Sequence, residues 1–135
     1  MVVAKVKTGG RFEEIGAYSR AKRVGPFVFV AGTTAIEPSG KLHAPGDCYA
    51  QSIYIFERIR LALEEVGAGL HHVVRTRAYF TDIGEAGGFV KAHGELFAGI
   101  DPVTSGVEAG LTQQGMMVEI EADAIIHNEE GIIDS

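Results

Sequence analysis

The sequence is short of positive charge, and its C-terminal part has none. It contains 12 Lys and Arg against 18 Asp and Glu, for a formal net charge of −6. No Lys or Arg follows Lys91, although nine acidic residues do. Because nucleic-acid binding relies on basic side chains that neutralise phosphates, this balance argues against a general DNA or RNA binder.

Cysteine is almost absent as well. Cys48 is the only one, which excludes an internal disulfide and leaves no second thiol for a zinc site. The apolar runs end well before the roughly eighteen residues that span a bilayer, and the N-terminus lacks a basic-then-apolar export signal. These absences predict a cytoplasmic protein that does not enter a membrane.

Standard catalytic motifs are also missing. There is no G-x-x-x-x-G-K-[ST], no G-x-G-x-x-G after a strand, no G-x-S-x-G and no H-E-x-x-H. The histidines lack the spacing of metal ligands, so we expect no metal site. What remains is ordinary globular composition, with 46% hydrophobic and 22% charged residues. At 135 residues this predicts a single domain over residues 1–135.

The most regular pattern lies near the C-terminus, from Met116 to Ile126, where apolar and polar residues alternate. Such alternation predicts a half-buried strand, with Val118 to Ile126 at every second position on one face. Glu119, Glu121 and Asp123 form the other face. Adjacent carboxylates repel one another unless water, a basic strand or a ligand meets them, so we expect ligand binding near this row.

The other elements follow from periodicity and turn residues. We predict that residues 105–109 form the first strand of a hairpin, whose second strand is the one that carries Glu119, Glu121 and Asp123. Asp47 is a candidate N-cap, and Gly67 a candidate stop, for the longer of two helices. The predicted elements are an edge strand at 2–7, a loop at 12–16, a hairpin of strands 18–24 and 27–32, helices at 48–66 and 89–97, and a strand at 73–81.

This order predicts an α+β fold with a mixed sheet, at least one parallel crossover and both helices on one face. On the strand at 73–81, Val74, Thr76, Ala78 and Phe80 are assigned to the buried face. The opposite face would hold a row of Arg75, Arg77 and Tyr79 beside the row of acids. That face either meets water or packs against another copy of the chain.

Several segments in a fixed order resemble the YjgF/RidA family, also called liver perchloric-acid-soluble proteins. They are Tyr18-Ser-Arg-Ala, the run from Val24 to Gly32, Val73-Val-Arg-Thr, Pro102 and Val118-Glu-Ile-Glu-Ala122. The resemblance implies a chorismate-mutase-like fold and a homotrimer whose sheets form a central barrel with three clefts between subunits. It also implies RidA-type hydrolysis of reactive enamines and imines derived from amino acids, without a metal or organic cofactor.

The resemblance also assigns site residues. By position, Glu119 is the acid that orients water, and Tyr18, Gly32 and Thr33 line the substrate cleft. The family arginine that holds the substrate carboxylate falls on Thr104, followed by Ser105, and no later arginine can replace it. A threonine offers one neutral donor where a guanidinium offers two charge-assisted bonds. The difference is worth about 1.5 to 3 kcal/mol.

The threonine at the family arginine position leaves three competing hypotheses. The first is a hydrolase or deaminase for a small neutral imine, enamine or related carbonyl compound, with Glu119, Thr104 and Ser105 at the reacting centre. The second is a binder of small metabolites that does not catalyse, and the third, an RNA-cleaving or translation-inhibiting protein, fits the acidic chain least well. Arg77 or Arg75 could replace the missing arginine, or could simply pair with Glu119 or Glu121.

Overall fold

The computed structural model describes residues 3–133, in which one six-stranded sheet is covered by helices on one side. The strands are β1 (Val3–Val6), β2 (Ala21–Val24), β3 (Phe27–Thr33), β4 (Val73–Phe80), β5 (Val103–Glu108) and β6 (Val118–Ile125). The helices are α1 (Arg11–Gly16), α2 (Cys48–Glu65) and α3 (Gly87–Phe97), with short 3₁₀ turns at Leu70–His72 and Ile83–Glu85.

The sheet is mixed, in the order β1-β2-β3-β6-β4-β5. All neighbours are antiparallel except β4 and β5, which are parallel and joined by a crossover through α3. Helix α2 packs on β3 and β6, and α3 packs on α2. The predicted α+β architecture with one parallel crossover is therefore confirmed.

The predicted hairpin between segment 105–109 and the acid-bearing strand is wrong. Strand β5 pairs only with β4 within the described residues, and β6 lies between β3 and β4. Gly106 fits this position because a Cβ there would lie 2.8 Å from the Phe80 ring. Strand β6 buries one whole face. A central strand with a neighbour on each side can bury a face in this way, whereas an isolated two-stranded hairpin cannot.

The predicted loop at 12–16 is also wrong, since Arg11–Gly16 form the short helix α1. The helix buries only Glu13 and leaves Phe12 and Ile15 exposed, so its sequence shows no buried apolar stripe. The Glu13 carboxylate accepts hydrogen bonds from the backbone N–H and the hydroxyl of Thr8. Ala17, with φ at 56°, ends the helix in the left-handed region.

The remaining predicted elements are confirmed with small changes in length. The Asp47 carboxylate caps α2 by accepting from the Ala50 N–H at 2.9 Å. Assigning Val74 to the buried face of β4 is wrong, because an irregular register between Val73 and Arg75 buries Val73 in its place. Strand β1 is described over Val3–Val6, and the predicted start at Val2 lies outside the described residues.

The core lies between the helices and the side of the sheet that they cover, which we call the helix side. Burial of aromatic and branched side chains there supplies most of the driving force for folding. The rings of Phe56 and Phe97, for example, meet edge to face at 5.2 Å. The largest buried side chains are Phe56, Phe80, Phe97, Ile55, Ile59, Leu63 and Ile120.

The opposite side of the sheet, which we call the helix-free side, is semi-polar. Phe27, Phe29, Val103 and Val107 are exposed there, among the charged side chains of β4 and β6. None of the helices in residues 3–133 is long and apolar enough to cross a membrane.

A buried histidine lies where the turn Leu70–His72 enters β4. His72 is 8% exposed, and its Nδ1 accepts from the Gly69 N–H at 3.1 Å. The ring of His71 lies 3.9 Å away and that of His127 lies 5.5 Å away. Burial, together with the charges of His71 and His127, lowers the pKa of His72.

Because the folded state disfavours protonated His72, stability should be complete above the unfolded histidine pKa of about 6.5 and decline as pH falls below it. We expect His72→Asn, which keeps an acceptor for the Gly69 N–H but does not titrate, to flatten this decline. Urea unfolding between pH 7.5 and pH 5 measures it, and one histidine can contribute at most about 1.4 kcal/mol per pH unit. His43→Asn is the control, and equal pH dependence of wild type and His72→Asn would contradict the assignment.

Candidate functional site

The acid row of β6 lies on the helix-free side, in register with the polar row of β4. Asp123 pairs with Arg75, Glu121 with Arg77, and Glu119 with Tyr79. The alternating side chains of β6 between them are buried on the helix side. The predicted juxtaposition of the two rows is therefore confirmed.

Arg77 lies within salt-bridge distance of two of the three acids. Arg77 Nη1 lies 3.4 Å from Glu121 Oε1 and 3.3 Å from Asp123 Oδ2. The Tyr79 hydroxyl also donates to Glu121 at 2.8 Å. The expected pairing of Arg77 with Glu121 is thus observed, and the guanidinium is engaged within its own chain.

Glu119 is the acid that this network leaves out. Its carboxylate has no hydrogen bond or ion pair within residues 3–133, although it is half-buried. Burial raises the pKa of Glu119, the charge of Glu121 raises it further, and Arg20 opposes both. A carboxyl group in this state holds its proton more readily than an exposed glutamate and is a stronger proton acceptor.

Gly32 makes room for this carboxylate. An irregularity in the β3–β6 register lies between Val30 and Thr33, and it contains Gly32. A Cβ on Gly32 would lie 2.8 Å from Glu119 Oε2, closer than two such atoms approach. The glycine therefore allows the backbone of β3 to run directly against Glu119.

Tyr18 and Thr33 are the other two residues assigned to the cleft from the sequence. Tyr18 is 41% exposed on the helix-free side, where it lines a cleft of about 470 Å³ with Glu121 and Asp123. Thr33 is buried, and its hydroxyl donates to the Ala31 carbonyl at 2.8 Å. Of these two predicted binding residues, Tyr18 is the one that a ligand on the helix-free side can reach.

Thr104 and Ser105 lie on the outermost strand, β5, and face opposite sides of the sheet. Ser105 pairs with Arg77 on the helix-free side, whereas Thr104 pairs with Thr76, whose side chain is buried on the helix side. Within one chain Thr104 and Glu119 therefore point to opposite faces. A cleft that contains both requires two copies of the chain.

The Thr104 hydroxyl belongs to a short hydrogen-bonded chain. The Thr76 hydroxyl donates to it at 2.7 Å and lies 3.0 Å from Nε2 of His93. The Thr76 hydroxyl therefore bridges the His93 ring and the Thr104 hydroxyl. Burial lowers the pKa of His93, which favours the neutral ring. Within residues 3–133 the Thr104 hydroxyl has no other hydrogen-bond partner.

Arg20 is a site residue that the sequence analysis did not single out. Its Nη1 donates to the Gly32 carbonyl at 3.0 Å, its Nε lies 3.6 Å from Glu13 Oε2, and its guanidinium lies 5.7 Å from the centre of the Tyr18 ring. The Tyr18-Ser-Arg-Ala motif contained the signal, but a single arginine after a turn does not reveal where its side chain points.

In the described part of the chain, no three His, Cys, Asp or Glu side chains cluster in a way that could hold a metal ion. The groups gathered at β6 and β3 are the Glu119 carboxyl group, the Gly32 backbone and the Arg20 guanidinium. Such groups can orient water and exchange protons with a small polar molecule.

Comparison with known proteins gives several close relatives. A crystal structure of a YjgF/YER057c/UK114 family member from Mycobacterium tuberculosis is 43% identical, with a TM-score of 0.83 over 93% of this chain and 100% of that one. A RutC family protein of Pyrococcus abyssi is 34% identical over 82% of this chain and 87% of its own. Mouse 2-iminobutanoate/2-iminopropanoate deaminase is 25% identical, covering 82% of both chains.

A sequence model of a whole family matches as well. The model described as endoribonuclease L-PSP covers residues 8–126, which include every strand from β2 to β6. The fold, the relatives and the solved structures agree on the chorismate-mutase-like α+β arrangement. The chain belongs to the YjgF/RidA family, the group that the endoribonuclease L-PSP model describes.

Proposed function

We propose that this protein hydrolyses a small neutral imine or enamine, with Glu119 orienting the attacking water. The observation that carries the proposal is the half-buried Glu119 carboxyl group, which has a raised pKa and no partner in residues 3–133. A carboxylate that only stabilised the sheet would be paired, as Glu121 is. The name of the mouse relative, an imine deaminase, supports the same reaction class.

The reaction needs no group beyond water and Glu119. An enamine first becomes the imine by gaining a proton on carbon and losing one from nitrogen to water. The Glu119 carboxylate accepts a proton from water as the water oxygen bonds to the imine carbon, and returns it to the nitrogen. The hydroxyl proton of the resulting carbinolamine then moves to the nitrogen through Glu119, the C–N bond breaks to release ammonia, and the oxygen forms the carbonyl.

The residue at position 104 sets the substrate class. Thr104 lacks the charge that would hold an amino-acid carboxylate, but its hydroxyl bonds only Thr76 within residues 3–133 and has a further hydrogen-bonding position for a neutral group. Arg77 is engaged by Glu121 and Asp123, so it would have to leave both carboxylates to hold a substrate. These contacts support a neutral substrate over a 2-imino acid.

The same contacts favour a second candidate, a metabolite binder without catalysis. A family site that lacks its carboxylate anchor can retain a cleft while losing turnover. Saturable binding of a small carbonyl compound by a protein that releases no ammonia would support this second candidate over the first.

The cleft itself is proposed to form between copies of the chain. Within one chain Thr104 and Glu119 face opposite sides of the sheet. The helix-free side also exposes Phe27, Phe29 and Val107, an apolar surface that an isolated subunit would leave in water. Three copies joined through this side would give the homotrimer that the family resemblance implies.

Replacing Glu119 with Gln should remove the proton acceptor while keeping the shape of the side chain. General acid or base catalysis contributes about 10²- to 10⁴-fold, so we expect at least about a hundredfold lower rate of ammonia release from neutral imines and enamines. Coupled ammonia detection across a substrate panel measures it. Asp123→Asn, on the same face of the same strand, should keep most of the activity, because Asp123 is not among the charges that shift the pKa of Glu119.

Two outcomes would contradict this proposal. One is full activity in Glu119→Gln at wild-type assembly. The other is a correctly assembled wild type that releases no ammonia from any member of the panel.

Replacing Phe29 with Asp should disrupt the assembly. Phe29 is 52% exposed on the helix-free side and pairs with Asp123, so a new carboxylate there would meet like charge in a desolvated interface. Light scattering after size exclusion should give wild type a mass three times that of the 14.4 kDa chain and give the variant a lower mass. Val90→Asp, on the exposed face of α3, is the control, and a wild type with the mass of one chain would overturn the proposed trimer.

A further inference from the structure

A second cavity lies on the helix side of the sheet, between α2, β3 and the loop that follows β3. Its volume is about 590 Å³, within the roughly 300 to 1,000 Å³ typical of small-molecule sites, and Glu119 does not line it. Most of its wall is apolar, formed by Val6, Val30, Ile36, Pro38, Leu61 and Ala62.

Two arginines share this cavity. Arg20 Nη1 donates to the Gly32 carbonyl at 3.0 Å, and Arg58 Nη1 donates to the Thr34 carbonyl at 2.6 Å. The Nε of Arg20 is buried and has no hydrogen-bond partner among the residues that the structure describes. Each guanidinium has five N–H donors, so these bonds leave donors of both side chains unused.

The nearby carboxylates neutralise this pair only in part. Within residues 3–133, Arg20 forms an ion pair with Glu13 at 3.6 Å, whereas Arg58 forms none. Of the two acids that line the cavity, Glu37 lies 3.0 Å from His43 and Glu65 is exposed. Arg58 therefore faces the apolar space without an ion-pair partner in the described residues.

The surroundings of Arg58 agree with this reading. Burial lowers the pKa of the Arg58 guanidinium, and the charge of Arg20 lowers it further. An anion between the two guanidiniums would relieve both effects, because it replaces lost water and offsets the repulsion.

We propose that this cavity binds a small organic carboxylate with an apolar body, whose carboxylate bridges Arg20 and Arg58. Guanidinium groups bind carboxylates through paired, charge-assisted hydrogen bonds, and the apolar wall suits a hydrocarbon chain better than a hydrated phosphate. The cavity and the Glu119 site meet at Arg20, but Glu119 does not line the cavity and the proposed binding does not require the hydrolysis proposed above.

Hexanoate and its neutral analogue hexanamide test the proposal. We expect hexanoate to bind the full chain saturably in the millimolar range, shifting the amide signals of Gly32 and Thr34 in ¹⁵N–¹H NMR spectra. Hexanamide, equal in size but uncharged, should bind at least about tenfold more weakly.

Arginine variants locate the binding. Arg58→Gln should weaken hexanoate binding at least about tenfold, and Arg58→Lys, which keeps the charge but not the fork of donors, should also weaken it. Arg60→Gln, which removes the same charge from the same helix where it pairs with Glu57 and Glu64, should leave binding unchanged.

Several results would overturn the proposal. They are the absence of saturable hexanoate binding, equal affinity for hexanamide, equal losses in Arg58→Gln and Arg60→Gln, and wild-type affinity in a folded Arg58→Lys. Activity at Glu119 has no part in these measurements, so their failure would leave the proposed hydrolysis untouched.

Discussion

The structure depends on a mismatch of charge across its central strands. Strand β6 places three carboxylates on the helix-free side, and the facing strand β4 supplies one arginine that reaches two of them. The third, Glu119, is pressed against Gly32, partly removed from water and left without a partner in the described residues. Partial burial without a partner disfavours the charged form of this carboxylate and raises its pKa. Shifted pKa values of this kind are typical of functional sites.

The two sides of the sheet have different roles. The helix side buries the aromatic and branched core that holds the subunit together. The helix-free side carries Glu119, Tyr18 and exposed apolar residues such as Phe29, a mixture that suits contact with another copy and a small polar cleft. The Arg20 guanidinium contacts both sites. It donates to the carbonyl of Gly32, the residue that lies against Glu119, and it also lines the cavity on the helix side.

The sequence predicted those features that depend on interactions between residues close together in the chain. Alternation in β6 gave its two faces, and the acid at position 47 gave the start of α2, because side-chain period and capping act over a few residues. Pairing between distant strands is not encoded in that way, so β5 was assigned to β6 when it lies beside β4. For the same reason the sequence named Thr104 and Glu119 as one site but did not reveal that they face opposite sides of the sheet, and it missed where Arg20 points.

Glu119 is a half-buried carboxyl group without a partner in residues 3–133. A pH titration of its side-chain carboxyl carbon by ¹³C NMR, in the assembled wild-type protein, tests this most directly. Burial and the charge of Glu121 predict a midpoint clearly above the ordinary glutamate value of 4.5. A midpoint at or below that value would show a solvated or paired carboxylate and would contradict the account.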